Sequence, residues 1–254
     1  MKDDMIYGRN PVIEAFTAGN TTIDKLMIQE GLHHPQIKEI LRLAKANGVM
    51  FRFVDKRKLD TLSGGENHQG VVASIASHSY AEVSDILNVA KSKGQPPFVV
   101  IADGITDPHN LGSIIRTANA AGAHGVIIPK NRSVSLNATV SKVSAGAVEY
   151  LPVARVTNLA QTIEKLKQAG LWIVGTDLAG TQTHSECSLT GALGVVIGSE
   201  GEGMSRLVRE ACDFLVKIPM IGEIESLNAS VAAGVLLYEA VRQKLEKGEL
   251  TCEY

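Results

Sequence analysis

Residues 98–129 read FVVIADGITDPHNLGSIIRTANAAGAHGVIIP. The stretch opens with an apolar run, FVVIA, of the kind found in strands that are buried on both faces. LGSIIRTANAAGA then carries apolar side chains at helical spacing, and HGVIIP is typical of another strand. A strand, a helix and a strand in this order predict two parallel strands with the helix packed on the sheet.

The same alternation continues toward the end of the chain. LAQTIEKLKQAG predicts an amphipathic helix, LWIVGTD and LGVVIGS predict buried strands, and residues 226–248 predict a long final helix. We therefore expect an α/β domain over residues 97–254, built on a parallel sheet covered by helices. Ligands of such sheets lie beyond the carboxyl ends of the strands.

The first 76 residues predict a separate, smaller α/β domain. Helical patterns cover residues 10–19, ending at Gly19, and residues 34–48, while TIDKLMIQ, VMFRFV and VVASIA are typical of strands. Residues 77–96 are expected to be a linker that includes a helix and ends at two prolines.

The amino-acid composition indicates which partners the protein can bind and in which cellular compartment it works. The net charge is −2, and residues 1–76 hold 10 Lys and Arg against 9 Asp and Glu, so any nucleic-acid contact must come from a local patch. The three cysteines are far apart and no metal-binding motif is present, so no metal is expected. With no apolar leader and no run of 18 apolar residues, we expect a soluble, cytoplasmic protein.

The loop after the first strand of the larger domain holds two candidate polar residues. Asn110 is placed to cap a helix that starts at Leu111. Arg116 lies off the apolar stripe of that helix, so its guanidinium points away from the core. A capping asparagine and a solvated arginine would explain both residues without any function.

IGSEGEGMS, residues 197–205, is a glycine-rich loop that does not match a phosphate-binding motif. Glu200 and Glu202 would repel phosphate, whereas the glycines let the backbone approach a ligand closely. The loop suits a ligand with positive charge or hydrogen-bond donors. The alternative is a plain turn whose acids stabilise a helix N-terminus.

Two further loops follow strands of the same predicted sheet. Thr176 comes after LWIV, where small polar residues are equally common in plain turns. A strand over residues 214–218 leads through a loop to the last helix, for which Ser226 is the predicted N-cap and Asn228 a first-turn residue. Each loop alone has an ordinary structural explanation, but four such loops at one sheet edge indicate a binding site.

Three segments resemble, in order, the motifs of SpoU-type methyltransferases of the SPOUT superfamily. They are DPHNLGSIIRTANAAGA, IGSEGEGMS and IPMIGEIESLNASVAAG, and the resemblance covers residues 97–245. Enzymes of this type transfer a methyl group from S-adenosylmethionine to a ribose 2′-oxygen in RNA. The first 76 residues, beginning YGRNPVIEAF, resemble the substrate-binding domain of the branch that modifies a guanosine in 23S ribosomal RNA.

The resemblance implies a C-terminal trefoil knot, a homodimer and a set of site residues. The cofactor residues it implies are Gly198, Ile218, Leu227, Thr176 and Met220. It gives Arg116 the catalytic role and implies that Asn110, Glu200, Ser226 and Asn228 orient Arg116 and the ribose. Arginine stays protonated in proteins, so Arg116 is expected to stabilise a developing alkoxide or to hold an RNA phosphate rather than to act as a base.

The densest basic cluster lies in the smaller domain and is the predicted RNA contact. It consists of Arg52, Lys56, Arg57 and Lys58, which a solvated surface would explain equally well. Three rival functions stay open at this point: a transfer-RNA ribose methyltransferase, a non-catalytic RNA-binding factor of ribosome assembly, and a dinucleotide-dependent oxidoreductase. The last is disfavoured because no G-x-G-x-x-G follows a first strand.

Overall fold

The computed structural model describes residues 5–18, 22–76 and 78–251. It divides into two compact units, Met1–Ser79 with Ser135–Ala138, and Tyr80–Val134 with Thr139–Tyr254. The predicted helix end at Gly19 and Cys252 both lie outside the described residues. Within the described ranges, none of the helices combines the length and apolar character needed to cross a membrane.

The first unit is a small α/β fold with strand order β1-β4-β2-β3. Its elements are β1 (Met5–Tyr7), α1 (Arg9–Ala18), β2 (Thr22–Gln29), α2 (Pro35–Ala46), β3 (Met50–Val54), α3 (Lys56–Ser63) and β4 (Val71–Ala76). The two longer helices and three strands of the prediction are present. Helix α3 was not predicted, because it is short and polar and buries only Leu59 and Ser63. Asp55 starts it by accepting a 2.7 Å hydrogen bond from the Lys58 amide.

The rest of the chain forms the expected parallel sheet with helices. The elements are α4 (Val83–Ser92), β5 (Phe98–Ala102), α5 (Pro108–Ala120), β6 (Gly125–Pro129), α6 (Ala138–Val143), β7 (Val153–Val156), α7 (Leu159–Gln168), β8 (Trp172–Thr176), β9 (Gln182–Thr183), β10 (Leu193–Ile197), α8 (Arg206–Ala211), β11 (Phe214–Lys217) and α9 (Ala229–Glu246). In the described residues the strand order is β7-β6-β5-β10-β8-β11-β9, and every pairing is parallel.

The centre of this sheet is the pair β5 and β10, whose residues are all buried. From β5 the chain proceeds through α5 to β6 on one side, and from β10 through α8 to β11 on the other. The β5–β10 boundary is therefore the switch point of the sheet, where a crevice opens beyond the carboxyl ends.

Helix α4, inside the segment expected to be a linker, contributes to the core of the second unit. Ile86 is fully buried among residues of β5 and β6, and Ala90 is buried beside it. Gly125 makes this packing possible, because a Cβ there would come within 2.5–2.7 Å of the Ile86 side chain. The second unit thus begins near residue 80.

His124 is a buried histidine that links β5 to the turn before β6. Its Nδ1 accepts a 3.0 Å hydrogen bond from the Phe98 amide, and its Nε2 lies 3.0 Å from the Gln95 side-chain oxygen. Burial, together with the positive charges of Lys93 and Lys244, lowers the pKa of His124 from 6.5 to about 4. The ring of His124 is therefore neutral in the folded protein at pH values above about 4.

We expect stability to fall as the pH drops from 6.5 toward 4, the window between the unfolded and folded pKa values of His124. In that window the unfolded chain binds a proton that the folded chain excludes, which costs up to about 3 kcal/mol. Urea unfolding across this pH range measures the slope. His124→Asn, whose Oδ1 can replace Nδ1 as the acceptor, should flatten it, and an equal slope in that variant would assign the effect to other groups.

Candidate functional site

The four loops predicted to meet at one sheet edge do meet there. They follow β5, β10, β8 and β11, which are consecutive neighbours in the sheet and run parallel. The carboxyl ends of these strands consequently face the same side, and the loops form a continuous rim over the centre of the sheet.

A cavity of about 540 Å³ opens between the loops that follow β8, β10 and β11. All five predicted cofactor residues line it: Thr176, Gly198, Ile218, Met220 and Leu227. Glu200 and Ser226 line it as well, whereas Asn110, Arg116 and Asn228 do not. Its volume lies within the roughly 300–1,000 Å³ of small-molecule sites.

The glycines of the loop after β10 let it fold back tightly on itself. Ser199 and Gly203 exchange two backbone hydrogen bonds of 3.0 Å, and Gly201 and Gly203 adopt φ angles of +82° and +67°. Gly198 packs directly against this turn, because a Cβ on it would overlap the Gly203 carbonyl carbon and the Met204 amide nitrogen. The cavity wall here is therefore made of backbone.

Three polar side chains meet at the rim of the cavity. The Asn110 amide donates to Glu200 Oε1 at 2.9 Å, and the Asn228 amide donates both to that oxygen and to Asn110 Oδ1, the latter at 2.9 Å. The Ala229 backbone amide adds a 3.2 Å bond to the same Glu200 oxygen. The structure thus brings together Asn110 of α5, Glu200 of the loop after β10 and Asn228 at the start of α9 as one connected network.

The predicted helix caps near this network are wrong in position. Helix α5 begins at Pro108 with Asp107 as N-cap, so Asn110 lies inside the first turn instead of capping a helix at Leu111. Asn228, not Ser226, caps α9, accepting from the amides of Ser230 and Val231. Asp107 takes the first cap because Pro108, which has no amide hydrogen, suits the first helical position.

Arg116 is exposed on α5 and does not line this cavity. It lies six residues beyond Asn110, about 9 Å along the helix axis. Among the described residues it makes no hydrogen bond or ion pair. Of the four residues expected to orient it, Asn110, Glu200 and Asn228 bond to one another, and Ser226 lines the cavity.

Asp103 is a site residue that sequence reasoning missed. It is buried directly after β5 and its Oδ2 accepts a 2.7 Å hydrogen bond from the Ser205 amide, which ties the β5 end to the loop after β10. The signal was available, since an acid that follows a fully apolar strand falls at the ligand edge of the sheet.

Comparison with known proteins agrees with this geometry. Residues 97–238 match the model of the SpoU rRNA Methylase family, and residues 5–81 match the model for RNA 2′-O ribose methyltransferase substrate binding. The chain belongs to the SpoU rRNA methylase family. It is therefore an RNA methyltransferase by family, and the resemblance drawn from the sequence is confirmed.

Relatives of known sequence and structure cover nearly the whole SpoU chain. A Bacillus subtilis (strain 168) protein, YacO, named for the TrmH family of tRNA/rRNA methyltransferases, is 48% identical over 97% of this chain and 98% of its own. The SpoU methyltransferase AviRb of Streptomyces viridochromogenes, solved with AdoMet, is 28% identical with a TM-score of 0.60, covering 95% of this chain and 90% of that one. An AdoMet-bound rRNA methyltransferase from Sinorhizobium meliloti is 26% identical, covers 94% and 87%, and has a TM-score of 0.58.

SpoU methyltransferases use S-adenosylmethionine, as expected from the sequence, and the cavity after β8, β10 and β11 fits it. Apolar side chains, among them Ile197, Val216, Ile218 and Leu227, offer walls for the adenosine. Four carboxylates line the cavity against two cations, which suits a positively charged sulfonium ligand; they belong to Asp177, Glu200, Glu202 and Glu225, and the cations to Arg209 and Lys217.

Substitutions of Asn228 can separate its role as the N-cap of α9 from its role in the network with Glu200. Asn228→Ala should lower the free energy of unfolding by about 1 kcal/mol, because the Ser230 and Val231 amides lose their acceptor. Asn228→Ser restores a cap acceptor but lacks the amide that donates to Glu200, so it should unfold like the parent. Both variants should lose methylation about tenfold or more, as expected for a lost bond to a carboxylate.

Urea unfolding measured beside single-turnover methylation tests this separation. Full activity in the serine variant would show that the amide contact to Glu200 has no part in the reaction.

Proposed function

We propose that this protein transfers a methyl group from S-adenosylmethionine to the ribose 2′-oxygen of a guanosine in 23S ribosomal RNA. The observation that carries the proposal is the position of the Asn110–Glu200–Asn228 network at the rim of the cavity that fits the cofactor. The match of residues 5–81 to a substrate-binding model for RNA 2′-O ribose methyltransferases supports the choice of ribose.

The reaction requires a hydroxyl oxygen in line with an electrophilic methyl group, about 3 Å away. S-adenosylmethionine supplies that methyl group on its sulfonium when bound. The chain supplies the geometry, since loops after β8, β10 and β11 fix the cofactor position through Thr176, Gly198, Ile218, Met220 and Leu227. Glu200, Asn110 and Asn228, with Ser226, would orient the ribose beside it.

Arg116 is proposed to stabilise the negative charge that develops on the ribose oxygen or to hold the adjacent phosphate. A protonated guanidinium donates hydrogen bonds and cannot accept the proton. Because Arg116 makes no bond to Glu200 among the described residues, we propose that it acts in a homodimer, at the site of the partner subunit. Exposed apolar side chains on α9, Val231 and Tyr238, offer surface for such a dimer. The trefoil knot stays a prediction from the family resemblance.

The first unit is proposed to bind the RNA, and the second unit, which begins near residue 80, to transfer the methyl group. Arg52, Lys56, Arg57 and Lys58 are all exposed, on β3 and at the start of α3. Burial, and to a smaller extent the positive charge of Arg52, lowers the pKa of Lys25. A group of exposed cations favours a phosphate backbone as its partner. The cytoplasm, where ribosomal RNA is modified, is the proposed compartment.

The decisive experiment is single-turnover methylation of transcripts of 23S ribosomal RNA and of transfer RNAs with labelled S-adenosylmethionine. Modified positions are then mapped by their resistance to alkaline cleavage, which depends on a free 2′-hydroxyl. A 2′-O-methylguanosine in 23S RNA is expected. Methylation confined to transfer RNA would replace the proposed substrate, and cofactor binding without any methylation would favour a non-catalytic RNA-binding protein.

A further inference from the structure

A second cavity, of about 750 Å³, adjoins the cofactor cavity. It lies at the β5–β10 switch point, between the turn after β5 and the loop after β10, and Ser199, Glu200, Glu202 and Gly203 line both cavities. The remaining lining residues are Asp103, Gly104, Thr106, Arg132, Met204, Ser205 and Arg206. Two ligands could therefore sit on opposite sides of one short loop.

The lining of the second cavity suits a polar ligand. Apart from Met204, its side chains are hydroxyls, carboxylates and guanidinium groups, whereas the cofactor cavity has apolar walls. Thr106, Ser199 and Ser205 each contribute a hydroxyl group that can donate to or accept from a sugar or phosphate.

The lining holds three carboxylates, of Asp103, Glu200 and Glu202, and two guanidinium groups, of which that of Arg132 has no partner among the described residues. Arg206 is paired with Glu210 at 3.0 Å, and Glu200 is already the acceptor of the amide network. Asp103 is held by the Ser205 amide. Arg132 is exposed and, among the described residues, has no hydrogen bond or ion pair.

The backbone of Arg132 adopts a conformation that is uncommon for arginine. Its φ angle is +57°, in the left-handed region that glycine and asparagine adopt more readily than arginine. An arginine at such a position costs stability, and a strained residue at the rim of a cavity is a reason to look for function.

We propose that the second cavity receives the sugar of the RNA beside the methylated ribose, whose hydroxyl groups can donate to its carboxylates, and that Arg132 at its exposed edge is a ligand of the adjoining phosphate. The inference rests on the proposed function, since it places the RNA within reach of Glu200. A guanidinium without a carboxylate partner can bind a phosphate in bidentate fashion.

The test compares Arg132→Gly, Arg132→Lys and a matched control, Lys165→Ala. Lys165 is exposed on α7, whose end leads into the amino end of β8, so the control removes one positive charge far from the cavity. Binding of each protein to a 23S ribosomal RNA transcript and to a single-stranded RNA oligonucleotide is measured at several salt concentrations without cofactor. Cofactor binding is measured by calorimetry and stability by thermal unfolding.

Arg132→Gly should bind RNA about tenfold more weakly, as for a lost bond to a charged group, and lower the log–log salt slope by about 0.7. It should also melt at the same or a higher temperature, because glycine adopts this backbone without strain. Arg132→Lys should keep the salt slope and lose part of the affinity, and Lys165→Ala should match the parent. A merely structural arginine would not combine weaker RNA binding with unimpaired stability.

Unchanged RNA affinity and salt slope in Arg132→Gly, with a parent protein that methylates RNA, would overturn the inference and leave the proposed function intact. A parent protein that neither binds nor methylates RNA would overturn both. Weaker cofactor binding in Arg132→Gly would also overturn the inference, because it would place Arg132 on the other ligand.

Discussion

Replacing Arg116 with lysine should lower single-turnover methylation at least about 100-fold, in line with the loss of one preorganised stabilising donor. Lysine keeps the charge but lacks the planar fork that can engage two oxygens at once. Cofactor affinity should stay within a few-fold, because Arg116 does not line the cofactor cavity. The measurement is methylation of 23S ribosomal RNA under single-turnover conditions beside calorimetric binding of S-adenosylmethionine.

Arg42→Lys is the matched control for this variant. Arg42 is exposed on α2 of the first unit, so the same chemical change there should leave the rate near that of the parent. Near-normal methylation by Arg116→Lys would exclude a bidentate role. A collapse of cofactor binding would show instead that Arg116 contacts the cofactor.

Replacing Gly198 with alanine should weaken cofactor binding about 100-fold. The added Cβ overlaps backbone atoms of Gly203 and Met204, which cannot rotate away as a side-chain end could. The turn must shift, and overpacking of this kind costs about 1–3 kcal/mol. The shifted backbone is itself the wall of the cofactor cavity. We therefore expect the free energy of cofactor binding to weaken by an amount near the upper end of that range.

Gly222→Ala provides the control, because Gly222 lies in the loop after β11 and a Cβ there meets nothing within 4 Å. Calorimetry should find its cofactor affinity unchanged, and thermal unfolding should show both variants folded. Cofactor binding of parental strength by Gly198→Ala would mean that the turn after β10 adapts freely and does not shape the site.

The parts of the site that follow from strand order could be predicted from the sequence. Thr176, Gly198 and Ile218 each stand at or just after the end of an apolar strand, and parallel strands bring such positions to one edge. The cofactor role of these three residues, and of Met220 and Leu227, came from the family motifs, and all five residues line one cavity. The α/β class followed equally directly, because buried parallel strands are apolar throughout.

What depends on local backbone geometry could not be predicted. Asn110 and Ser226 were assigned as caps because their residue types suit that role, yet Asp107 and Asn228 took it. The positive φ angle of Arg132 could not be predicted, because the residue type does not indicate it. The lack of a bond between Arg116 and Glu200 among the described residues could not be predicted either, because the motif does not contain the positions of the two side chains in space.

The turn Ser199–Gly203 is a wall shared by the two cavities, and Glu200 lines both of them. A ligand that binds in one cavity and shifts this turn also changes the free energy with which the second ligand binds in the other cavity. Thermodynamic reciprocity then fixes the relation: the factor by which RNA alters cofactor affinity equals the factor by which the cofactor alters RNA affinity. After methyl transfer, the spent cofactor would keep its adenosine but would lack the positive sulfonium charge to which the carboxylates of this cavity are suited. The order in which products leave should therefore be governed by this one turn.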